Sequence, residues 1–176
     1  MATVRLRPIA TSDAELCFHW VTDPDVARHL GLTQPPRTIR DEQAWISSVL
    51  ADPDHLRMFV IEDESARPIG TSTLRGIEPE EGFAFFGILI GEKALWDHGY
   101  GTAATLATLA FAFQHLGLRE VRLSCYSQNQ RALRCYEKAG FQRVTQHWSW
   151  VPEGGADLRM SITRERWEEM QQSSAS

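Results

Sequence analysis

In the stretch ALWDHGYGTAATLATLAFAFQHLGLREV, residues 94–121, Gly99 and Gly101 flank one aromatic residue, and a run of helix formers starts at once. The first turn of a helix carries N–H groups without partners inside the helix and the positive end of the helix dipole, which together make an anion site. Glycine there lets a phosphate come close to the backbone, although a tight turn into a buried helix asks for the same residue. A second stretch, SQNQRALRCYEKAGF, residues 127–141, sets Asn129, Ala132 or Leu133, and Tyr136 at i, i+3/i+4 and i+7 on one helix face, so that an amide and a phenol are presented together. Cys135 stands beside Tyr136, and no histidine lies at a readable spacing to activate it as a covalent nucleophile. Neither GxxxxGK[ST] nor GxGxxG is present, which disfavours a nucleotide-binding protein built on the glycine turn alone.

These residues need elements to position them. TVRLRPI alternates as a strand does, and Ser12-Asp13-Ala14-Glu15 reads as a capping box for a helix carrying Leu16, His19 and Trp20. Asp23 to Arg37, rich in Pro, Gly and Asp, reads as a loop, and Thr38 starts a second helix with Ile39, Trp45, Ile46 and Val49. RMFVIED, PIGTSTLRGI and FAFFGILIG, separated by turns at Ser65-Ala66-Arg67-Pro68 and Glu80-Glu81-Gly82, form an antiparallel meander whose last, nearly all-apolar member is a central strand covered on both faces. The glycine turn follows it, and the next helix buries Leu106, Leu109, Ala110 and Phe113. EVRLSCY is a further strand, a helix runs from about Gln128 to Ala139 with Gly140 as its stop, and FQRVTQHWSWV and DLRMSI are strands joined through Pro152-Glu153-Gly154-Gly155. The expected class is α+β, one domain over residues 1–170, with 171–176 a frayed tail.

Composition limits the function. A chain of 176 residues, 43% hydrophobic and 23% charged, buries a sizeable single core. No segment approaches the roughly 18 apolar residues of a membrane span, and MATVRLRPIA lacks a signal-peptide core, so a cytoplasmic protein with no membrane partner is expected. Cys17, Cys125 and Cys135 form no CxxC pair and are odd in number, which supports neither a disulfide framework nor a metal site. A net charge of −5 without a Lys/Arg cluster argues against nucleic acid and tolerates a small cationic partner.

WDHGYGTAATL, followed after a strand by NQRALRCYEKAGF, resembles the two signature segments of the GNAT superfamily of N-acetyltransferases, within its ribosomal-protein N-acetyltransferase (RimJ/RimL-like) branch. VRLRPIATSDAE, RPIGTSTLRGI and DLRMSITRERW are similar to that branch as well, so the resemblance covers most of the chain. It implies a GNAT fold: a mixed, mostly antiparallel, twisted sheet, flanked by helices and splayed between its fourth and fifth strands, with acetyl-coenzyme A (acetyl-CoA) wedged in the split and no metal. It also implies that the helix N-terminal amides around His98, Gly99, Tyr100, Gly101 and Thr102 hold the pyrophosphate, that the main chain of Ile88, Leu89 and Ile90 pairs with the pantetheine arm, and that Asn129 hydrogen-bonds it. The Leu89 amide is placed to face the thioester oxygen as charge develops there. Arg131, Arg134 and Lys138 are candidates to meet the cofactor's phosphates, with a solvated helix face as the simpler reading.

Acetyl transfer to an amine needs a base for the amine's proton and an acid for the leaving thiolate. Tyr136 is the expected acid, since a phenol of pKa about 10 is protonated at neutral pH, against about 8.5 for a thiol. Trp96, Asp97 and His98 depart from the superfamily's usual pyrophosphate motif, and Phe85 occupies the strand position where many relatives carry a glutamate base. Glu15, Asp23, Asp25, His29 and Glu92 are the candidate bases, with a water chain as the alternative. Phe83, Phe85, Trp148 and Trp150 are read either as an aromatic acceptor pocket or as core. The resemblance points to the α-amino group of a protein or peptide as acceptor, with a homodimer compatible. A polyamine or aminoglycoside acetyltransferase, or a non-catalytic acyl-CoA sensor, are the alternatives.

Overall fold

The computed structural model describes residues 2–28, 30, 35–145, 148 and 156–174. The alternating segments become strands of one sheet. β1 (Arg5–Pro8), β2 (Leu56–Glu62), β3 (Pro68–Glu78) and β4 (Phe83–Ile90) pair antiparallel in turn, and β4 then pairs parallel with β5 (Glu120–Cys125). β5 is followed in space by β7 (Leu158–Thr163) and β6 (Gln142–Val144), both antiparallel pairings, giving the order β1-β2-β3-β4-β5-β7-β6. The helices are α1 (Ala14–Thr22), α2 (Pro24–Ala27), α3 (Ile39–Ala51), α4 (Tyr100–Ala110), α5 (Gln130–Lys138) and α6 (Arg164–Ser174), with a π-helical turn at Phe111–His115 extending α4. The expected α+β class and antiparallel meander are therefore present, and the parallel β4–β5 pair makes the sheet mixed.

Register decides what each face carries, because directly paired residues point the same way. Leu56, Arg75 and Phe85 form one such row, Met58, Thr73 and Gly87 the next, and Val60, Thr71 and Leu89 the third. α1 to α3 lie over this face, burying Cys17, Trp20, Val26, Ile46 and Val49 against Met58 and Val60. The opposite face packs Leu74 and Phe86 with Leu109, Phe113, Leu123 and Tyr136, and Ile61 and Ile69 with Ala104. β4 is thus covered on both sides, as its apolar run requires.

Local chemistry explains the element ends, with one correction. The Thr38 hydroxyl accepts from the Asp41 amide at 3.2 Å while the Asp41 carboxylate accepts from the Thr38 amide at 2.8 Å, a reciprocal cap that starts α3. The box expected at Ser12 and Glu15 does not form. The chain first makes a 3-10 turn at Thr11–Asp13, where the Asp13 carboxylate accepts from the Ala10 amide at 2.8 Å and from Arg7 at 2.9 Å. Asp23, read as loop, caps the short α2, with Pro24 as the first helical residue. Gly140 ends α5 at φ +101°, and Phe141 donates back to the Tyr136 carbonyl at 3.0 Å. α6, absent from the sequence reading, carries helix through Ser174 into the expected tail. Of FQRVTQHWSWV, the described residues form only β6, and the Pro152–Gly155 turn lies outside them.

Gly91, just past β4, is where α1 meets the sheet end. A Cβ there would enter the Trp20 indole, whose Nε1 donates to Glu92 at 3.1 Å. Gly91→Ala is therefore expected to destabilise the fold by about 1–3 kcal/mol through overpacking. Chemical denaturation measures this, and an unchanged midpoint would contradict the packing described.

Candidate active site

β4 and β5 pair only along Phe83–Phe85 and Glu120–Arg122. Past Phe85 the strands diverge, leaving Phe86 to Ile90 paired with β3 alone. A cavity of about 460 Å³ passes through this wedge, lined by Ile88, Leu89 and Ile90 on one wall and by Ser124, Cys125 and Tyr126 on the other. The resemblance's expected splay is therefore real, and it leaves the backbone edge of β4 open to an extended ligand.

The first turn of α4 closes one end of the cavity, where Gly99, Gly101 and Thr102 line it. Here the two glycines separate in role. Gly99 is the helix N-cap at φ +89°, a left-handed backbone that suits glycine. Gly101 has no such constraint, and a Cβ on it would lie 3.5 Å from the Cys135 sulfur and 3.9 Å from Ile90. Its bareness keeps the cavity side of the helix open. The N–H groups of Tyr100, Gly101 and Thr102 precede the first intrahelical bond, which Ala103 makes to the Gly99 carbonyl at 3.0 Å. Donors, dipole and clearance fit a pyrophosphate, and the open β4 edge fits the amide-bearing arm that follows it in acetyl-CoA.

Side chains around this turn are engaged elsewhere. Tyr100 donates its hydroxyl to Glu64 at 2.9 Å and packs by Ile61 and Ile69, away from the cavity. His98 is exposed and does not line the cavity, its Nδ1 donating to the Trp96 carbonyl at 2.7 Å and its amide to the Leu95 carbonyl at 3.4 Å. Asp97 sits at φ +64° with its carboxylate 3.6 Å from Arg134, which offsets its charge. Trp96 donates its Nε1 to the Ile90 carbonyl at 2.8 Å and carries the Arg131 guanidinium 3.6 Å above its ring. That carbonyl has a protein donor already, so ligand pairing along Ile88–Ile90 falls to the remaining groups.

Asn129 and Tyr136 do line one cavity wall, as their spacing predicts. Asn129 is also the N-cap of α5, its Oδ1 accepting from the Ala132 amide at 3.2 Å, which leaves the side-chain NH₂ for a ligand carbonyl. The Tyr136 ring is wedged edge-on against Phe86 and Phe141 with centroids 6.1 and 5.9 Å away. Burial pushes its phenol far above the ordinary range, against a smaller downward pull from Arg75, so the protonated donor persists at every physiological pH. Cys135, 3.5 Å from the Thr105 hydroxyl, is held up by burial, as is Cys125, pushed up to about 11. Both are neutral thiols, and among the described residues no histidine lines the cavity to activate either of them. Among the described residues no three His, Cys, Asp or Glu gather as a metal site.

Beyond the wedge the cavity spreads over the Leu56–Leu89 face, roofed by Cys17, Val21, Val26 and Trp45. Among the described residues, none of the candidate bases lines it. Asp23 and Asp25 hold Lys93 at 2.8 and 3.0 Å, Glu92 holds Trp20, Glu15 is exposed, and His29 lies outside the described residues. Each acid that the sequence nominated is tied up by a partner or faces solvent. Glu42 is the residue that sequence reading missed. It is 5% exposed, lines the cavity, and has no hydrogen bond or ion pair among the described residues. Its signal was available: Ile39, Glu42, Ile46 and Val49 follow helical spacing, which puts a carboxylate on the buried stripe of α3. Phe85 meets Phe83 and Trp148 at 5.7 and 5.6 Å, and Arg122 lies 3.9 Å over Phe83, while Trp150 lies outside the described residues.

Burial raises the Glu42 carboxyl above its ordinary value. A folded value above the unfolded one gives stability that is complete below the unfolded pKa of about 4.3 and is lost as pH rises through the folded value. Glu42→Gln is therefore expected to melt higher than the parent at pH 7.5, by about 2–4 °C per kcal/mol relieved, with the gap closing near pH 4. A constant gap across that range would contradict it.

No curated protein matches the chain by sequence. Solved structures do match in fold. A spermidine N-acetyltransferase from Vibrio cholerae, in complex with CoA and spermine, superposes with a TM-score of 0.82 at 20% identity, over 94% of this chain and 98% of the other. The aminoglycoside acetyltransferase AAC(6′)-Ib, in complex with ribostamycin and coenzyme A, gives 0.82 at 24% identity, over 96% and 98%. A model of the acetyltransferase (GNAT) domain matches residues 3–142, most of the chain and both halves of the wedge. The split sheet, its glycine-cleared helix terminus and this match together place the chain in the GNAT acetyltransferase family, as an N-acetyltransferase whose cosubstrate is acetyl-CoA.

Proposed function

We propose that the acceptor is the primary amine of a small molecule, acetylated by direct attack on acetyl-CoA bound in the wedge. The carrying observation is that a single cavity runs from the α4 N-terminus through the split to a roofed chamber between α1–α3 and the β2–β4 face. In this reading the amides of Gly99 to Thr102 hold the pyrophosphate, Ile88 to Ile90 and Asn129 align the pantetheine arm, and Tyr136 returns a proton to the departing thiolate. The spermidine and aminoglycosides named for the structural neighbours support a small amine. The RimJ/RimL-like branch, with its protein or peptide α-amino acceptor, rests on the sequence resemblance and takes second place. A cytoplasmic home rests on composition alone, and a homodimer remains compatible with this reading. Among the described residues no helix is long and apolar enough to cross a membrane.

Two measurements test this. Acetyl-CoA is expected to raise the melting temperature with concentration, because it binds the native state alone, whereas ATP and NAD are not. Equal shifts from all three would refute the cofactor site. Incubation with acetyl-CoA and panels of small amines, polyamines, aminoglycosides and peptides, read by mass spectrometry and thiol release, then identifies the acceptor. Transfer to peptide N-termini alone would restore the branch reading, and acetyl-CoA binding with no thiol release in the presence of any amine would make the chain a non-catalytic acyl-CoA sensor.

A further inference from the structure

We infer that Glu42 receives the acceptor's ammonium group and draws off its proton, and that the acceptor is a monocationic amine on an apolar body. The inference rests on the small-amine reading above and adds the residue and the substrate class. Three observations carry it. Glu42 is a buried carboxylate without a partner among the described residues, and it opens into the chamber that the split feeds. An uncompensated carboxylate in such surroundings is costly unless a ligand supplies the counter-charge. The usual strand position for a base is Phe85, so the chamber has no competing acid there.

The walls select the rest of the acceptor. Val21, Val26, Leu56, Met58 and Trp45 line the chamber around Glu42 and suit an alkyl or arylalkyl body. Among the described residues a second cation finds no second free acid: the cavity's other described carboxylate, Asp97, faces Arg134 at the far end. The other groups near Glu42 do not replace it. Cys17 on α1 is a neutral thiol pushed up to about 12, partly by Glu42 itself, and Asp13 is paired with Arg7 at 2.9 Å. In the step, one N–H bond of the ammonium breaks and an O–H bond forms on Glu42. The nitrogen keeps the electron pair it needs for attack, and the proton leaves to solvent through the cavity mouth. Burial holds the carboxyl above its ordinary value, which brings it closer to that task.

The test titrates hexylamine, 2-phenylethylamine and spermidine into the CoA-saturated parent, Glu42→Gln and Glu42→Asp proteins by calorimetry, and follows kcat/KM against pH. The monoamines are expected to bind the parent more tightly than spermidine does. Glu42→Gln should weaken them by about tenfold or more, Glu42→Asp by less, with CoA affinity within about twofold throughout. The acidic limb of the pH profile should disappear in Glu42→Gln. Equal monoamine affinity in parent and Glu42→Gln, a retained limb, or a parent that prefers spermidine overturns the inference while leaving the acetyltransferase intact. Glu42-dependent amine binding without any transfer keeps the ammonium site and removes the small-amine reading instead.

Discussion

Tyr136→Phe is expected to slow acetyl transfer by about 10²–10⁴-fold while changing melting temperature and acetyl-CoA affinity little. The ring's packing against Phe86 and Phe141 survives the substitution, so the fold loses only a hydroxyl at the cavity wall. Burial holds that hydroxyl protonated at the cavity wall. A phenol raised this far would be a poor acid toward a thiolate in water. In the same desolvated wedge the thiolate is raised as well, and the driving force for transfer is restored. Because the phenol does not ionise near neutrality, no alkaline limb of the pH profile should trace to it. Steady-state kinetics on the true amine, with calorimetric titration of acetyl-CoA, decides the matter: full turnover in the Phe variant means that water protonates the thiolate.

Gly101→Val is expected to weaken acetyl-CoA binding by about ten- to a hundredfold, the equivalent of about 1.4–2.8 kcal/mol, with the ligand-free fold intact. An alanine Cβ has room at 3.5 Å from Cys135, whereas valine's two methyls extend into the approach to the first-turn N–H groups. The helix itself tolerates valine no worse than glycine. Gly99→Ala is the informative contrast. At φ +89° an added Cβ costs about 1–2 kcal/mol of stability, with any loss of affinity following from the distorted cap. Circular dichroism melts and calorimetry separate the two, and an unchanged affinity in Gly101→Val would remove the phosphate reading of this turn.

Much of this was legible in the chain because it is local. Period-two alternation found the meander, Thr38 announced the start of α3, and Gly140 announced the end of α5. The spacing of Asn129 and Tyr136 puts both on one helix face, and the fold turns that face into one wall of the cavity. What was not legible depends on pairs distant in sequence. Met58, Thr73 and Gly87 share a chamber floor only because of strand register, and nothing near any of them states that register. Trp96 looks like an oddity of motif until its indole reaches the Ile90 carbonyl. Glu42 was overlooked for a different reason: an acid in the first turn of a helix is so ordinary beside the dipole that its place on the apolar stripe passed unnoticed. Ser12 shows the converse failure, a local pattern outbid by Arg7, which claims Asp13 from the neighbouring strand.

The seam between β4 and β5 has a mechanical meaning. Antiparallel β2, β3 and β4 are stitched along most of their length, and so are β5 and β7, but the two blocks share rungs only at Phe83–Phe85 and Glu120–Arg122. The molecule is two stiff plates with a short weld, notched where the cosubstrate enters. Among the described residues, the β4 amides past Phe85 that do not face β3 have no strand partner, so their hydrogens should exchange much faster than those bonded to β3 and slow when a cosubstrate fills the notch. A cosubstrate bridging the notch then acts as a brace, and part of its binding energy goes into stilling the plates. Substitutions that loosen either plate far from the notch, such as at the Gly140–Met170 contact behind β7, would be felt as weaker acetyl-CoA binding without touching a single residue of the wedge.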